Sequence, residues 1–497
     1  MKIIVILCLN FLLAAGVIHE GKYRAAVVAY SPNLTAEEPL DRLYQNVGNY
    51  LDYIDEAGLQ KCDIIVFPED GLTGWYDVIT YEERVEMFST AVPEPSSNVS
   101  PCKSNDGIYS KALKSFSCSA LKNRIYVVVN LAERFYEENT KKTVYYNTNV
   151  VFDRDGVVVA RFRKINLLNE IFFRAANESV TFKTDFGVTF GIFTCFDITF
   201  RNPALTTLED PEVTDIVFPV AWFSHLPFIQ SLSIHHGYTI STGVNMLSAN
   251  LHDPASRNGG TAIYFAGGDI AKVYLTGSEG SKMIISDVPK VSKRKPPHPC
   301  QVINILPSSN VERVEDINGF ITSTENLANY TWKAVDLTQK EVRETVCSGG
   351  KFCCNFDISL TSTQPTNYVY KMVAYHGTVQ LSANDRLGTR ACGLVACTNE
   401  DIASCGHRLD VPPKGVTFGR IEIKGVFQAQ HSHDQPASLK YNLKPVSNYT
   451  FCRQQVGDDH VEVSVSTVDK QDALLTFGIY GRVFNNDGKP VGVINIK

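Results

Sequence analysis

A change of hydrophobic period near the start of the chain constrains the fold more than any other feature. Arg24-Ala-Ala-Val-Val-Ala-Tyr30 reads as a first strand. Leu40, Leu43, Val47, Leu51 and Ile54 then recur every three or four residues, which places one apolar stripe on a helix that starts after Pro39. Asp63-Ile-Ile-Val-Phe67 supplies a second, buried strand. Strand, helix and strand in that order open an α/β sheet.

Further strands are expected at residues 124–130, 145–152 and 157–161, the last two joined by Asp153-Arg-Asp-Gly156, whose Asp-Gly favours a tight hairpin turn. Val188-Thr-Phe-Gly-Ile-Phe-Thr-Cys195-Phe-Asp197 reads as a buried strand that ends on a cysteine. A strand at 215–218, a helix-like stretch through Leu232 and Ile240, a strand at 246–250 and a hairpin around Gly267-Gly268 complete this half. Beyond Cys300 the texture changes to short β-rich runs, such as 368–375 and 461–466, with turn residues between them. With 497 residues there is room for two domains, and the boundary is expected at 296–307, giving an α/β unit over 22–295 and a β-rich unit over 305–497.

The formal net charge of -6 leaves no basic footprint for nucleic acid, and the triplet Lys293-Arg294-Lys295 beside Pro296-Pro297 reads as a solvated linker. Met1-Lys2, the apolar run from Ile3 to Leu13 and Ala14-Ala15-Gly16 follow the order of a secretory signal peptide over 1–16. That run is shorter than the roughly 20 residues that span a bilayer. The last residues lack the hydrophobic tail of a GPI signal, so the expectation is a soluble, secreted chain with no membrane anchor. Asn33, Asn98, Asn177, Asn329 and Asn448 each head an Asn-x-Ser/Thr acceptor for glycosylation.

Cysteine usage agrees with an oxidising route. No Cys-x-x-Cys pair occurs among the 13 cysteines, so disulfides are expected in place of a zinc site, and no metal or cofactor is implied. Setting aside Cys8, in the signal, and Cys195 leaves an odd number, and Cys62, beside the apolar run Ile64-Ile-Val-Phe67, is the candidate for a buried, inert thiol. Cys102 and Cys118 bracket a short segment and are expected to pair. Spacing alone leaves the connectivity of the later cysteines open.

Three strand ends carry polar groups suited to one reaction: Glu69 in Phe67-Pro-Glu-Asp-Gly, Lys164 in Arg161-Phe-Arg-Lys, and Cys195 in Thr194-Cys-Phe-Asp. Singly, each has a plainer explanation: a turn cap, a solvated strand end and a core cysteine. Together they supply what amide hydrolysis needs. A thiol attacks as the thiolate, and a carboxylate can take its proton and later pass it to the departing amine. An ammonium, with the backbone N–H after the nucleophile, can hold the oxyanion; one such donor is typically worth about 3 kcal/mol.

The order Pro-Glu, Arg-x-Lys and Thr-Cys-Phe-Asp resembles the nitrilase superfamily of carbon–nitrogen hydrolases over roughly residues 24–274. Ile65-Val-Phe-Pro-Glu-Asp-Gly-Leu, Phe190-Gly-Ile-Phe-Thr-Cys-Phe-Asp-Ile, Ala221-Trp222 and Asn245-Met-Leu-Ser-Ala-Asn-Leu-His252 are similar to the branch that contains vanins and biotinidase. The resemblance implies an α-β-β-α sandwich followed by a smaller β domain, with Glu69 as general base, Lys164 as oxyanion stabiliser and Cys195 as nucleophile. It implies a small-molecule amide substrate: pantetheine, cleaved to pantothenate and cysteamine, or a biotin amide. A second active-site glutamate, common in nitrilases, would be Glu170 or Glu178. Trp222 follows another strand's carboxyl end, where it would line the acyl pocket or belong to the core. Adjacent histidines do not share a helical face, so His235-His236 suits packing better than metal binding. Asp197 is expected to hydrogen-bond turn amides or an arginine beside the nucleophile.

Overall fold

A computed structural model describes residues 21–305, 317–363, 365–382 and 384–493. The expected signal peptide lies outside the described residues, as does part of the expected boundary segment.

The first half is two six-stranded sheets stacked face to face. In the first sheet, Lys22–Ala29, Ile64–Val66 and Tyr126–Glu137 run parallel, flanked by antiparallel Lys282–Pro289 on one side and Lys142–Phe152 and Val158–Arg163 on the other. In the second, Asn245–Asn250, Val213–Val220 and Thr189–Ile192 form the parallel centre. Side-chain alternation explains why the central strands read as continuous apolar runs. Ala25 and Val27 face the second sheet and share a core with Ile216, Phe218 and Met246. Ala26 and Val28 face outward onto Leu43, Val47 and Ile54 of the helix Pro39–Leu59 and onto Leu113 and Phe116 of the helix Lys111–Asn123.

The helix Ser231–Thr242 covers the other sheet, and all of its residues but Ser241 are buried, because a further β layer lies against its outer side. Gln435 Nε2 donates to the Ile234 carbonyl at 3.0 Å, and the Ser438 amide donates to Ser233 Oγ at 3.2 Å. Gly237 marks the closest approach: a Cβ there would stand 2.5 Å from the Pro436 carbonyl oxygen. The fold is therefore the expected α-β-β-α sandwich with a β-rich C-terminal part.

Among the described residues, that C-terminal part contains two larger sheets, one built around Phe352–Thr363 and Val416–Gln428, the other around Val369–Gln380, Arg386–Cys397 and Leu474–Val483. The Cys354–Cys392 disulfide ties the two sheets together. Cys300–Cys452, Cys347–Cys353 and Cys397–Cys405 close neighbouring strands or turns, and Cys102–Cys118 pairs as expected. Cys62 and Cys195 are free and buried.

The cysteine strand departs from expectation. Its ladder stops at Ile192, and Cys195 opens a 3-10 turn, Cys195–Thr199. Cys195 sits at φ 46°, a left-handed conformation that no strand continues through. Thr194 and Asp197 brace that turn by reciprocal capping hydrogen bonds.

Candidate active site

Glu69, Lys164 and Cys195 come from three different strand ends, and the fold gathers them where the two sheets meet. Lys164 follows the last residue of Val158–Arg163, and its backbone amide donates to the Asn147 carbonyl at 2.8 Å. Its Nζ then lies 2.7 Å from Glu69 Oε1 and 2.6 Å from Glu170 Oε2. All three side chains are nearly inaccessible to solvent. Glu170 is thus the second glutamate of the site, whereas Glu178 is exposed.

Asn147 Nδ2 reaches the same two acids, at 2.9 Å from Glu69 Oε1 and 2.6 Å from Glu170 Oε1. The remaining Glu69 oxygen accepts from the Ala221 amide at 3.0 Å, and the Ala221 carbonyl accepts from the Cys195 thiol at 3.7 Å. One residue of backbone therefore links Glu69 to the thiol. Asn130 donates to Asn147 at 2.6 Å and to Asn149 at 2.9 Å, and Asn149 donates to Thr194 at 2.7 Å, beside the cysteine. Asp197 accepts from the Asn166 amide and side chain, both at 2.8 Å, and from the Thr194 amide at 3.2 Å.

Electrostatics sets the resting protonation. Burial pushes the Cys195 thiol well above its ordinary pKa and Glu69 adds to the rise, against the opposing pull of Lys164. Burial alone would lower the Lys164 pKa, but Glu170 and Glu69 more than reverse it, so the ammonium persists. The site at rest is a neutral thiol beside a held ammonium.

The cluster opens into a cleft lined by Trp75, Ile79, Leu168, Phe223, His225, Arg257 and Leu381, with Glu69, Asp70, Lys164, Glu170 and Cys195 also on its surface. Trp222 does not line it. Its indole donates to the Ile229 carbonyl at 2.8 Å and packs edge-on against His235, so it belongs to the core; Trp75 and Phe223 are the aromatic wall of the cleft. His235 and His236 are buried in the helix Ser231–Thr242, where His236 meets the Gly268 carbonyl at 2.6 Å and His235 meets Ser248 at 3.2 Å.

The asparagine network was not anticipated from sequence. A signal was present: Asn147 and Asn149 alternate along an apolar strand and so share one face, and Asn130 is registered directly opposite Asn149.

Residues 24–243 match the carbon-nitrogen hydrolase family model, and residues 320–487 match the vanin C-terminal domain. Vanin-like protein 2 of Drosophila melanogaster is 31% identical over 97% of this chain and 93% of its own length. The chain belongs to the vanin family of carbon–nitrogen hydrolases. Other relatives in this family are the pantetheinase of Canis lupus familiaris, 30% identical over 91% of this chain and 85% of that protein, and the pantetheinase of Bos taurus, 30% identical over 94% and 88%. As in the sequence reading, the protein is an enzyme that acts on carbon–nitrogen bonds. Among the described residues, no helix is long and apolar enough to cross a membrane.

Proposed function

We propose that this vanin-family hydrolase cleaves pantetheine to pantothenate and cysteamine through a thioester on Cys195. The observation that carries the reading is the contact of one glutamate with both other members of the triad, directly with Lys164 and through Ala221 with Cys195. Glu69 takes the thiol proton as sulfur attacks the amide carbonyl. Lys164 and the Phe196 backbone amide hold the oxyanion, and the proton on Glu69 passes to the departing amine. Glu69 then draws a proton from water, which attacks the thioester and frees the acid. Glu170 keeps Lys164 oriented through its 2.6 Å contact.

The choice of pantetheine is supported by the relatives named pantetheinase and by a cleft that is mostly apolar with a few polar groups. Secretion is supported by the leader-like first residues and five disulfides, and the exposed Asn98, Asn177 and Asn329 are the acceptors best placed for glycan. Asn33 and Asn448 are half-buried. We assign catalysis to residues 22–295 and place the β-rich unit at 305–497. The test is a parallel turnover assay of pantetheine, biocytin and an unrelated linear amide on purified protein. Preference for pantetheine is expected; preference for biocytin would replace the substrate while keeping the chemistry.

A further inference from the structure

The cleft holds a second cation whose setting differs from that of Lys164. Arg257 follows the short turn Pro254–Ser256 at φ 70°, and its backbone amide donates to the Pro254 carbonyl at 3.3 Å. Its guanidinium lies over the Phe223 ring, 5.6 Å from the centroid, and donates to Ser323 Oγ at 2.5 Å and to the Ser256 carbonyl at 3.4 Å. These partners are a ring, a hydroxyl and a carbonyl. Among the described residues, no carboxylate forms an ion pair with it, whereas Lys164 is held between two.

Away from the cluster of Glu69, Asp70, Lys164 and Glu170, the rest of the lining carries little charge. Burial, then the neighbouring Arg257 charge, pushes His225 down to about 4, so the imidazole is neutral at physiological pH. Trp75, Ile79, Leu168, Phe223 and Leu381 supply apolar surface. Such a wall suits a branched acyl chain that also bears oxygen atoms.

The C-terminal half fixes the guanidinium in place. Ser323–Thr324 pairs in parallel with His225–Leu226, the Ser323 amide donates to the Ser224 carbonyl at 2.9 Å, and the Ile321 amide donates to the Pro254 carbonyl at 3.1 Å. One strap therefore braces both segments that carry Phe223, His225 and Arg257. A planar cation oriented before substrate arrives loses little freedom on binding.

We propose that Arg257 is a specificity-determining residue that donates hydrogen bonds to oxygen atoms on the acyl part of the substrate. The proposal rests on the pantetheine reading, in which every oxygen of the substrate lies on the acyl side of the scissile bond.

The experiment compares two amides of cysteamine, pantetheine and its hexanoyl analogue, on wild type, Arg257→Ala and Arg257→Lys. Arg257→Ala is expected to lower kcat/KM for pantetheine by roughly 10- to 100-fold, mainly through KM, and to leave the hexanoyl amide within about twofold. Arg257→Lys should fall between, because it keeps the charge and loses the fork. Equal losses on both amides, or none on either, would overturn the proposal. A wild type that cleaves other amides but not pantetheine refutes the substrate reading; Arg257 is then judged by how well pantothenate and hexanoate protect Cys195 from iodoacetamide. Protection by pantothenate alone, lost in Arg257→Ala, supports the role; no protection, or the same protection in both proteins, refutes it.

Discussion

Each half of the molecule buries a charged cluster, and the two are built differently. In the β-rich half, Arg390 meets Asp434 through two hydrogen bonds of 2.8 Å, donates a third to the Gln428 carbonyl and lies over the Phe427 ring. One cation meets one anion, and the pair is sealed from solvent. In the catalytic half, Lys164 lies between Glu69 and Glu170, with a thiol beside them and a third acid, Asp70, whose pKa is held well above the ordinary range by burial, then by Glu69 and Glu170. Acids outnumber cations there, and the cluster opens on a cleft. The closed pair is suited to holding sheets in register, while several ionisable acids around one ammonium are suited to moving protons.

Substitutions can break this contrast. Cys195→Ala is expected to lower amide turnover by about 10⁴-fold or more with little change in thermal unfolding, because the site loses its nucleophile and the core loses one sulfur. Turnover and a melting curve on the same preparation check both halves of that statement. Arg390→Ala should do the reverse: chemical denaturation should show a loss of about 3–5 kcal/mol from the stranded Asp434, with kcat per folded molecule unchanged. Glu170→Gln is expected to lower kcat by about 100-fold, since Lys164 loses one of its two anchoring carboxylates and its ammonium drifts from the oxyanion position; steady-state kinetics reads this directly.

The smallest effect concerns pH. Burial raises the Asp197 pKa to about 7 against the opposing influence of Lys164 and of hydrogen bonds from Asn166 and Thr194. Below that value the neutral acid is a poorer acceptor for the amides that fix the Cys195 turn, so kcat should fall a few-fold as pH drops through about 7. Stability has the opposite sign. The folded pKa lies above the unfolded value of about 4, so this group's contribution is full below about 4 and is lost as pH rises through about 7. Asp197→Asn should flatten both profiles, as measured by pH-rate and pH-denaturation curves.

Local rules made much of this molecule readable. The apolar runs at 24–30 and 63–67 lie at the centre of a sheet, and the Pro39 helix packs on its outer face as its stripe requires. Glu69, Lys164 and Cys195 are polar residues at the ends of apolar strands, and it is the resemblance to the nitrilase superfamily that singles them out as a set. Other features depend on long-range neighbours. The turn at Cys195 is set by the Thr194–Asp197 capping pair, so the run of β-formers extends beyond the strand. For Trp222 the sequence leaves pocket lining and core membership open, and the core position is set by a carbonyl seven residues on that accepts from its indole. The choice between Glu170 and Glu178 required knowing where Asn147, on another strand, would point. The helix Lys111–Asn123 went unread although Leu113, Phe116 and Ala120 form its buried stripe.

Amide cleavage in the presence of hydroxylamine tests the thioester on Cys195 most directly. The account predicts that the acyl group partitions to hydroxamate in proportion to hydroxylamine, and that rapid acid quench leaves the acyl mass on the peptide containing Cys195. Continued release of amine with no hydroxamate at any hydroxylamine concentration, and no acyl mass on that peptide, would contradict it.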